Sequence, residues 1–130
     1  MPRPIFLFGE AEKGDFCTPQ LCRTLPQLAD IYGHPPAESL GLLYAIQALL
    51  YERELIYFRV KEEGFSVTDY MRGLKLLEKV AVDLQPSAVF LPGVGDGEII
   101  EATSELCQKQ QTLLVITHRD LYDYLTHPLG

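Results

Sequence analysis

The sequence predicts an α/β fold in which an open, mostly parallel sheet of about four strands lies between two layers of helices. Strand-like and helix-like segments alternate along the chain, which is the order that a parallel sheet requires. The later strands are continuous apolar runs, as expected of strands that helices cover on both faces. The right-handed crossover rule then favours a three-layer α/β/α sandwich.

Length, composition and charge limit the function classes that fit this chain. Its 130 residues are expected to form one domain, residues 1–130, and 47% of them are hydrophobic, enough to bury a core. A net charge of -7 with scattered basic residues disfavours nucleic acids and anionic membranes as partners. No signal peptide or membrane-spanning run is expected. The three cysteines (Cys17, Cys22 and Cys107) fit reduced thiols, so the expected location is the cytoplasm.

The first segments read as a buried strand followed by irregular chain. Residues 4–8 are short, apolar and aromatic, which is typical of a buried strand. A polar turn is expected at residues 10–14. Residues 16–21 form an extended segment that Pro19 restricts to a sheet edge or a loop.

Two helices are expected next. Thr24 is a good N-cap, Pro26 is tolerated in the first turn, and Gly33 ends the helix. The second helix, predicted over residues 38–52, has the strongest helical periodicity in the chain. Its apolar face is broad, so we expect it to be well buried.

The middle of the chain predicts a strand, a helix and another strand. Residues 54–60 are rich in β-branched and aromatic residues and predict a strand. A polar turn follows, and either Ser66 or Thr68 caps a helix that runs to about Val82. The continuous apolar run at residues 87–91 predicts the next strand.

The last third repeats this alternation. A glycine-rich loop at residues 92–97 leads into a helix over residues 98–110, and residues 112–117 predict the last strand. A final helical turn is expected over residues 118–125, and Pro128 stops it.

The glycine-rich loop carries the alternative functional hypothesis. It follows a strand and begins a helix, where backbone N–H groups of Gly93, Gly95 and Gly97 could hold a phosphate or nucleotide, as in a small doubly wound nucleotide- or phosphate-binding domain or enzyme. However, the glycine spacing differs from that of a dinucleotide fingerprint, and no lysine follows as in a P-loop. Asp96 and Glu98 would also repel phosphate. A tight turn with Asp96 as the helix N-cap is therefore the simpler interpretation.

Other reactive side chains do not form a recognisable catalytic or metal site. Asp96, Glu98 and Glu101 supply too few ligands in a defined geometry for a metal site. His118 follows the last strand, where a general base could stand, but a solvated surface histidine is the alternative. We therefore predict no catalytic residue, no metal and no cofactor.

Aromatic residues are more numerous than a core of this size needs. Since tyrosine is enriched at protein interfaces, some of them are expected to contact partners, with core packing as the alternative. The candidate contact residues are three tyrosines and the predicted loop before residue 17: Tyr44, Tyr51, Tyr57, Glu10, Lys13 and Phe16.

The order of the segments resembles one family, the contractile tail sheath proteins of bacteriophages and related injection machines. An opening strand and glycine turn (FLFGEAEKGDFCTPQL) precede a short helix that ends in an aromatic-glycine pair. The remaining segments follow in the same order as in sheath proteins. The matching segments are residues 6–21, 25–33, 42–60, 70–80, 87–96 and 99–117.

This resemblance implies a structural protein with an α/β core and no active site. The implied partners are further copies of the chain, or proteins of a tail or injection system, and the implied location includes a phage-like particle. Sheath subunits are longer and exchange terminal arms between neighbours. We therefore expect a core domain without those arms, which self-assembles through protein–protein contacts.

Overall fold

The computed structural model describes residues 3–126, apart from the side chains of residues 81 and 82, so the predicted helix stop at Pro128 lies outside the described residues. Helices and strands alternate along this part of the chain. In chain order the elements are β1 (Ile5–Gly9), β2 (Gln20–Cys22), α1 (Leu25–Tyr32), α2 (Gly41–Leu50), β3 (Leu55–Arg59), α3 (Val67–Leu84), β4 (Ala88–Phe90), α4 (Gly97–Gln110), β5 (Leu113–Val115) and α5 (His118–Thr126).

The strands form one mixed, mostly parallel sheet in the order β2-β3-β1-β4-β5. β1 pairs in parallel with β3 and β4, and β4 pairs in parallel with β5. These are the four strands that the sequence predicts, although β4 and β5 are shorter than expected. The fifth strand, β2, comes from the predicted extended segment and pairs antiparallel with β3 at the sheet edge. The chain order reverses between β1 and β4, as in doubly wound sheets.

Helices cover both faces of the sheet, which confirms the α/β sandwich. Alternate residues of a strand face opposite sides. On β1, Ile5 and Leu7 belong to a core shared with α1, α2 and α5, whereas Phe6 and Phe8 belong to a core shared with α3 and α4. All four side chains are completely buried, which explains why the strand is apolar at every position.

Several predicted helix ends are confirmed by their capping contacts. The Thr24 side chain accepts a hydrogen bond from the Gln27 N–H at 3.2 Å, and Gly33, with a φ of 76°, ends α1. Asp96 accepts from the Ile99 N–H at 3.0 Å and begins α4. Each of these caps uses residues within four positions of the helix end, so local sequence was sufficient to predict them.

Helix α2 is shorter than the predicted helix over residues 38–52. Glu38 and Glu52 have positive φ angles of 64° and 62°, which a right-handed helix excludes. The helix therefore runs only from Gly41 to Leu50, and its N-cap residue, Leu40, makes no side-chain capping bond. The N–H groups of Leu40 and Gly41 donate instead to a carboxylate that is distant in sequence.

Helix α5 lies where the sequence predicts a final helical turn, over residues 118–125, and ends one residue later. It spans His118–Thr126, and Leu121, Tyr124 and Leu125 are buried against the sheet. This buried stripe recurs at helical spacing and stabilises the helix through tertiary packing.

The glycine of α3 gives a test of the packing between helix and sheet. A Cβ at Gly73 would overlap the Phe8 ring, whereas a Cβ at Gly97 would meet open space. Gly73→Ala is expected to lower the free energy of unfolding by about 1–3 kcal/mol, although alanine favours helices. Gly97→Ala, the matched control, should leave it unchanged or raise it. Urea unfolding measures both, and equal stability of the two variants would contradict this packing.

Candidate functional site

Helix α2 carries a row of large apolar side chains that the fold leaves exposed. Leu43, Leu50 and Tyr51 are 46%, 58% and 46% exposed. A helix that is apolar on all sides is normally buried on all sides. Here only one side packs on the sheet, and residues 39–51 include no Asp, Glu, Lys, Arg or His. The outer side of α2 is therefore an uncharged apolar surface.

Helix α5 lies beside α2 and completes a groove of about 350 Å³. Tyr122, which is 66% exposed, stands on the α5 side of this groove. No lining residue carries a carboxylate, an ammonium or a guanidinium group, in a chain whose net charge is -7. We call this surface the α2–α5 face; its lining residues are Leu43, Tyr44, Ile46, Gln47, Tyr51, His118, Leu121, Tyr122 and Leu125.

Hydrogen-bonding groups are few in the groove. The Tyr44 hydroxyl lies 3.3 Å from Nδ1 of His118, and the two rings are nearly perpendicular, at 85°. Burial, followed by the negative charges of Glu63 and Asp120, raises the pKa of Tyr44, so its hydroxyl is protonated at neutral pH. The face thus offers mainly apolar contact area with a small polar patch.

A capping box fixes the start of α5. The Asp120 carboxylate accepts hydrogen bonds from the Ile116 and Thr117 N–H groups, both at 3.2 Å, and the Thr117 hydroxyl accepts from the Asp120 N–H at 3.1 Å. The hydrogen bond from the Thr117 N–H is the main reason why the pKa of Asp120 is lowered. This local motif positions His118 and the rest of α5 beside α2.

Position and orientation of α2 depend on Glu63, from the loop after β3. One carboxylate oxygen accepts from the Gly41 N–H (3.0 Å), the Ser39 hydroxyl (3.1 Å) and the Glu10 N–H (3.0 Å). The other oxygen accepts from the Leu40 N–H at 2.7 Å. This carboxylate therefore serves as the N-cap that Leu40 lacks, and the helix dipole favours its negative charge.

The loops after β1 and β3 are tied to each other in the same place. The Glu63 N–H donates to the Glu10 carboxylate at 2.7 Å, and the Tyr57 hydroxyl donates to the Glu10 carbonyl at 2.7 Å. Gly9 and Gly41 are in such close contact that a Cβ on either would overlap the other. The side chains of Glu10 and Tyr57 therefore form hydrogen bonds within the protein.

Arg59 holds the loop that begins at Glu10. Its guanidinium donates to the carbonyl groups of Ala11, at 3.0 Å, and Gly14, and it lies over the Phe16 ring at 3.9 Å. A second cavity, of about 330 Å³, lies beside this loop, and its lining mixes acidic with basic side chains. Neither sign of charge dominates there.

The predicted contact residues fall into two groups. Tyr57 is completely buried, so predicting it as a surface contact was wrong, because its ring fills the core under α1 and α2. Tyr44 is 1% exposed and packs in the same core, although it also lines the α2–α5 groove. Tyr51 is exposed on the α2–α5 face. Lys13 and Phe16 are exposed away from it and Glu10 is half-buried, and as contact residues these three stay predictions.

The glycine-rich loop lies where the sequence predicts it, before α4. A Cβ at Gly95 or Gly97 would meet open space, whereas a Cβ at Gly93 would contact the Glu63 carboxylate. Asp96 occupies the N-cap position, and its carboxylate accepts a hydrogen bond from the Ile99 N–H. Phosphate binding at this loop stays a prediction.

The described residues contain no candidate metal site and no candidate membrane span. Within residues 3–126, no group of three or more His, Cys, Asp or Glu side chains could hold a metal ion. No helix in the same range is long and apolar enough to cross a membrane.

Leu43, Leu50 and Tyr122 are the contact candidates that sequence reasoning missed. A signal was present, because the uncharged run over residues 39–51 is too apolar for a helix that packs on one side only. Helical periodicity alone does not say which of its leucines face outward.

Removing the Glu63 carboxylate should destabilise the packing of α2 on the sheet. Glu63→Ala leaves the first amide groups of α2 without their acceptor and is expected to lower the free energy of unfolding by about 2–4 kcal/mol. Glu63→Gln, which keeps one carbonyl oxygen, should fall between Glu63→Ala and the unmodified protein. The exposed neighbour provides the control, since Glu62→Ala should change stability by less than about 0.5 kcal/mol. Equal urea-unfolding midpoints for Glu62→Ala and Glu63→Ala would contradict the capping role.

The Asp120 capping box should make α5 sensitive to acid. Because the folded-state pKa is lowered, its contribution is present above the unfolded pKa of about 4 and is lost as the pH falls through the folded pKa. Asp120→Ala is expected to cost about 1 kcal/mol at pH 7, a difference that shrinks below about pH 4. Asp123→Ala, on the exposed side of the same helix, is the control. Thermal unfolding between pH 3 and pH 7 measures the difference, and a cost independent of pH would contradict the carboxylate's role.

No family model, no curated protein and no solved structure matches this chain. The resemblance to tail sheath proteins therefore stays a prediction.

Proposed function

We propose that this domain is a protein-interaction module that associates with further copies of itself through the α2–α5 face. The observation that carries the proposal is the uncharged groove with exposed Leu43, Tyr51 and Tyr122 at its sides. Burying apolar surface contributes roughly 25 cal/mol per Å², so covering these side chains favours association. Contiguous apolar surface of this kind is typical of interaction sites.

The composition of the face favours a protein over a small polar ligand. The lining is dominated by leucine, isoleucine and tyrosine, and tyrosine is enriched at protein interfaces. Its few hydrogen-bonding side chains are those of the three tyrosines, Gln47 and His118, and none of the lining residues is an Asp, Glu, Lys or Arg. A phosphate or a nucleotide would therefore find no strong charge partner there.

The resemblance to sheath proteins agrees with this proposal and places it in a wider setting. A sheath-like core acts through contacts between subunits, and an uncharged face supplies one such contact. We extend the proposal to a structural role in a tail-like or injection-type assembly, with the cytoplasm or a phage-like particle as its location. The resemblance supports the proposed role in such an assembly, whereas the α2–α5 face supports the proposed self-association.

Association should be measurable with the purified protein. Sedimentation over a concentration series is expected to give a mass that rises above that of the 14.7 kDa monomer. Leu43→Glu places a carboxylate in the contact and should raise the dissociation constant at least about tenfold, equivalent to about 1.4 kcal/mol. A monomer at every concentration, or equal association of Leu43→Glu, would rule out this function.

The control must change the same residue type on a different surface. Leu84 is 42% exposed at the end of α3, in the helix layer on the other side of the sheet. Leu84→Glu should associate as the unmodified protein does. Circular dichroism of all variants would confirm that the chain remains folded.

A further inference from the structure

Helices α3 and α4 each carry a row of charged side chains on the side that faces away from the sheet. The row on α3 has three basic residues followed by an acidic one, and the row on α4 has three acidic residues followed by a basic one. All eight residues are exposed. The rows are Arg72, Lys75, Lys79 and Asp83 on α3, and Glu98, Glu101, Glu105 and Lys109 on α4.

The two rows have the same spacing and opposite signs. In each row the successive members are three, four and four residues apart, which places them on one side of a helix. The last residues of the two helices are Leu84 and Gln110, and Lys75 and Glu101 each lie nine residues before them. The other members correspond in the same way. The charge pattern of α3 is therefore the inverse of the pattern of α4, position by position.

The sheet holds the two rows side by side at the same level. Helices α3 and α4 pack against each other and lead into β4 and β5, which are parallel neighbours with Ala88 opposite Leu113. The helices end four and three residues before these two partners, so they are parallel and their ends are level. Within residues 3–126 the one ion pair joins Arg23 to Glu54. The charges of the two rows are therefore not paired with each other in the single chain.

We propose that a second copy of the chain binds this surface about a two-fold axis that runs parallel to α3 and α4. The eight residues of the two rows define the surface, which we name the α3–α4 face. Such an axis places α3 of each copy over α4 of the other, in the same direction and at the same level. The opposed pairs, each of which occurs twice, are Arg72 with Glu98, Lys75 with Glu101, Lys79 with Glu105, and Asp83 with Lys109.

Charge complementarity favours a second copy over other occupants. A uniformly acidic partner would meet like charge along α4, and a uniformly basic partner would meet like charge along α3. Another copy is complementary along both helices at once, because its two rows are inverse to each other. A single exposed ion pair contributes little to affinity, but a matched set determines the register and excludes arrangements that oppose like charges.

This contact is separate from the α2–α5 face and does not rest on the function proposed for that face. Helices α3 and α4 cover one side of the sheet, whereas α2 and α5 cover the other. A molecule that uses both faces is bound to two others, so the assembly can extend beyond two copies.

Charge reversal tests the pairing in the Leu43→Glu variant, in which the α2–α5 contact is disrupted. Sedimentation of this variant should give a mass that rises with concentration and stops at two copies. Adding Glu101→Lys brings a lysine opposite Lys75 of the other copy and should raise the dissociation constant at least about tenfold. Adding Lys75→Glu as well restores opposite signs, so the dissociation constant should return to within about threefold of its starting value.

The control separates the pairing from an effect of net charge. Glu101→Lys moves the net charge of -7 toward zero, so general repulsion between molecules would predict stronger association. Asp30→Lys makes the same change in net charge at an exposed position of α1, in the other helix layer. This control should not weaken the dimer, and circular dichroism would confirm that all variants remain folded.

The outcomes separate this inference from the proposed function. Equal dissociation constants for Glu101→Lys and Asp30→Lys, or no recovery on adding Lys75→Glu, overturn the pairing. A Leu43→Glu variant that stays monomeric while the unmodified chain associates overturns the pairing alone. An unmodified chain that stops at two copies, and responds to Glu101→Lys but not to Leu43→Glu, overturns the proposed function alone. A monomer at every concentration overturns both.

Discussion

The carboxylate of Glu63 connects parts of the chain that are far apart in sequence. It accepts hydrogen bonds from the start of α2 and from the loop after β1, while its own backbone N–H is held by Glu10. Because β1 and β3 are adjacent in the sheet, their loops reach the same place, and one side chain can satisfy both. The position of α2 on the sheet, and therefore the α2–α5 face, depends on this contact.

The external cap has a consequence for the composition of α2. Most helices include a polar or acidic residue of their own at the N-terminus, to satisfy the first amide groups. In this protein Glu63 fulfils that requirement, so α2 itself is free of charged residues from end to end. An uncharged helix can then cover the sheet with Tyr44 and Ala48 on one side and expose Leu43 and Leu50 on the other.

The distribution of charge links the fold to the proposed association. Carboxylates are spread over loops and the outer sides of the other helices, which keeps molecules of this protein apart over most of their surface. The residues that line the α2–α5 face include no carboxylate, and apolar contact area is concentrated there. The proposed association uses this face, and the capping box of Asp120 fixes the start of α5 on one side of it.

The sequence by itself determined the α/β class, the parallel strands and the caps at Thr24, Gly33 and Asp96, because strand composition and capping act between near neighbours. Only the tertiary structure decided that Tyr57 is buried while Tyr51 is exposed, since both lie in apolar segments without a polar side. It also decided where α2 begins, because the cap lies more than twenty residues away, at Glu63. Contacts over such distances in sequence leave no periodic signal, and they arise only when the sheet brings the loops together.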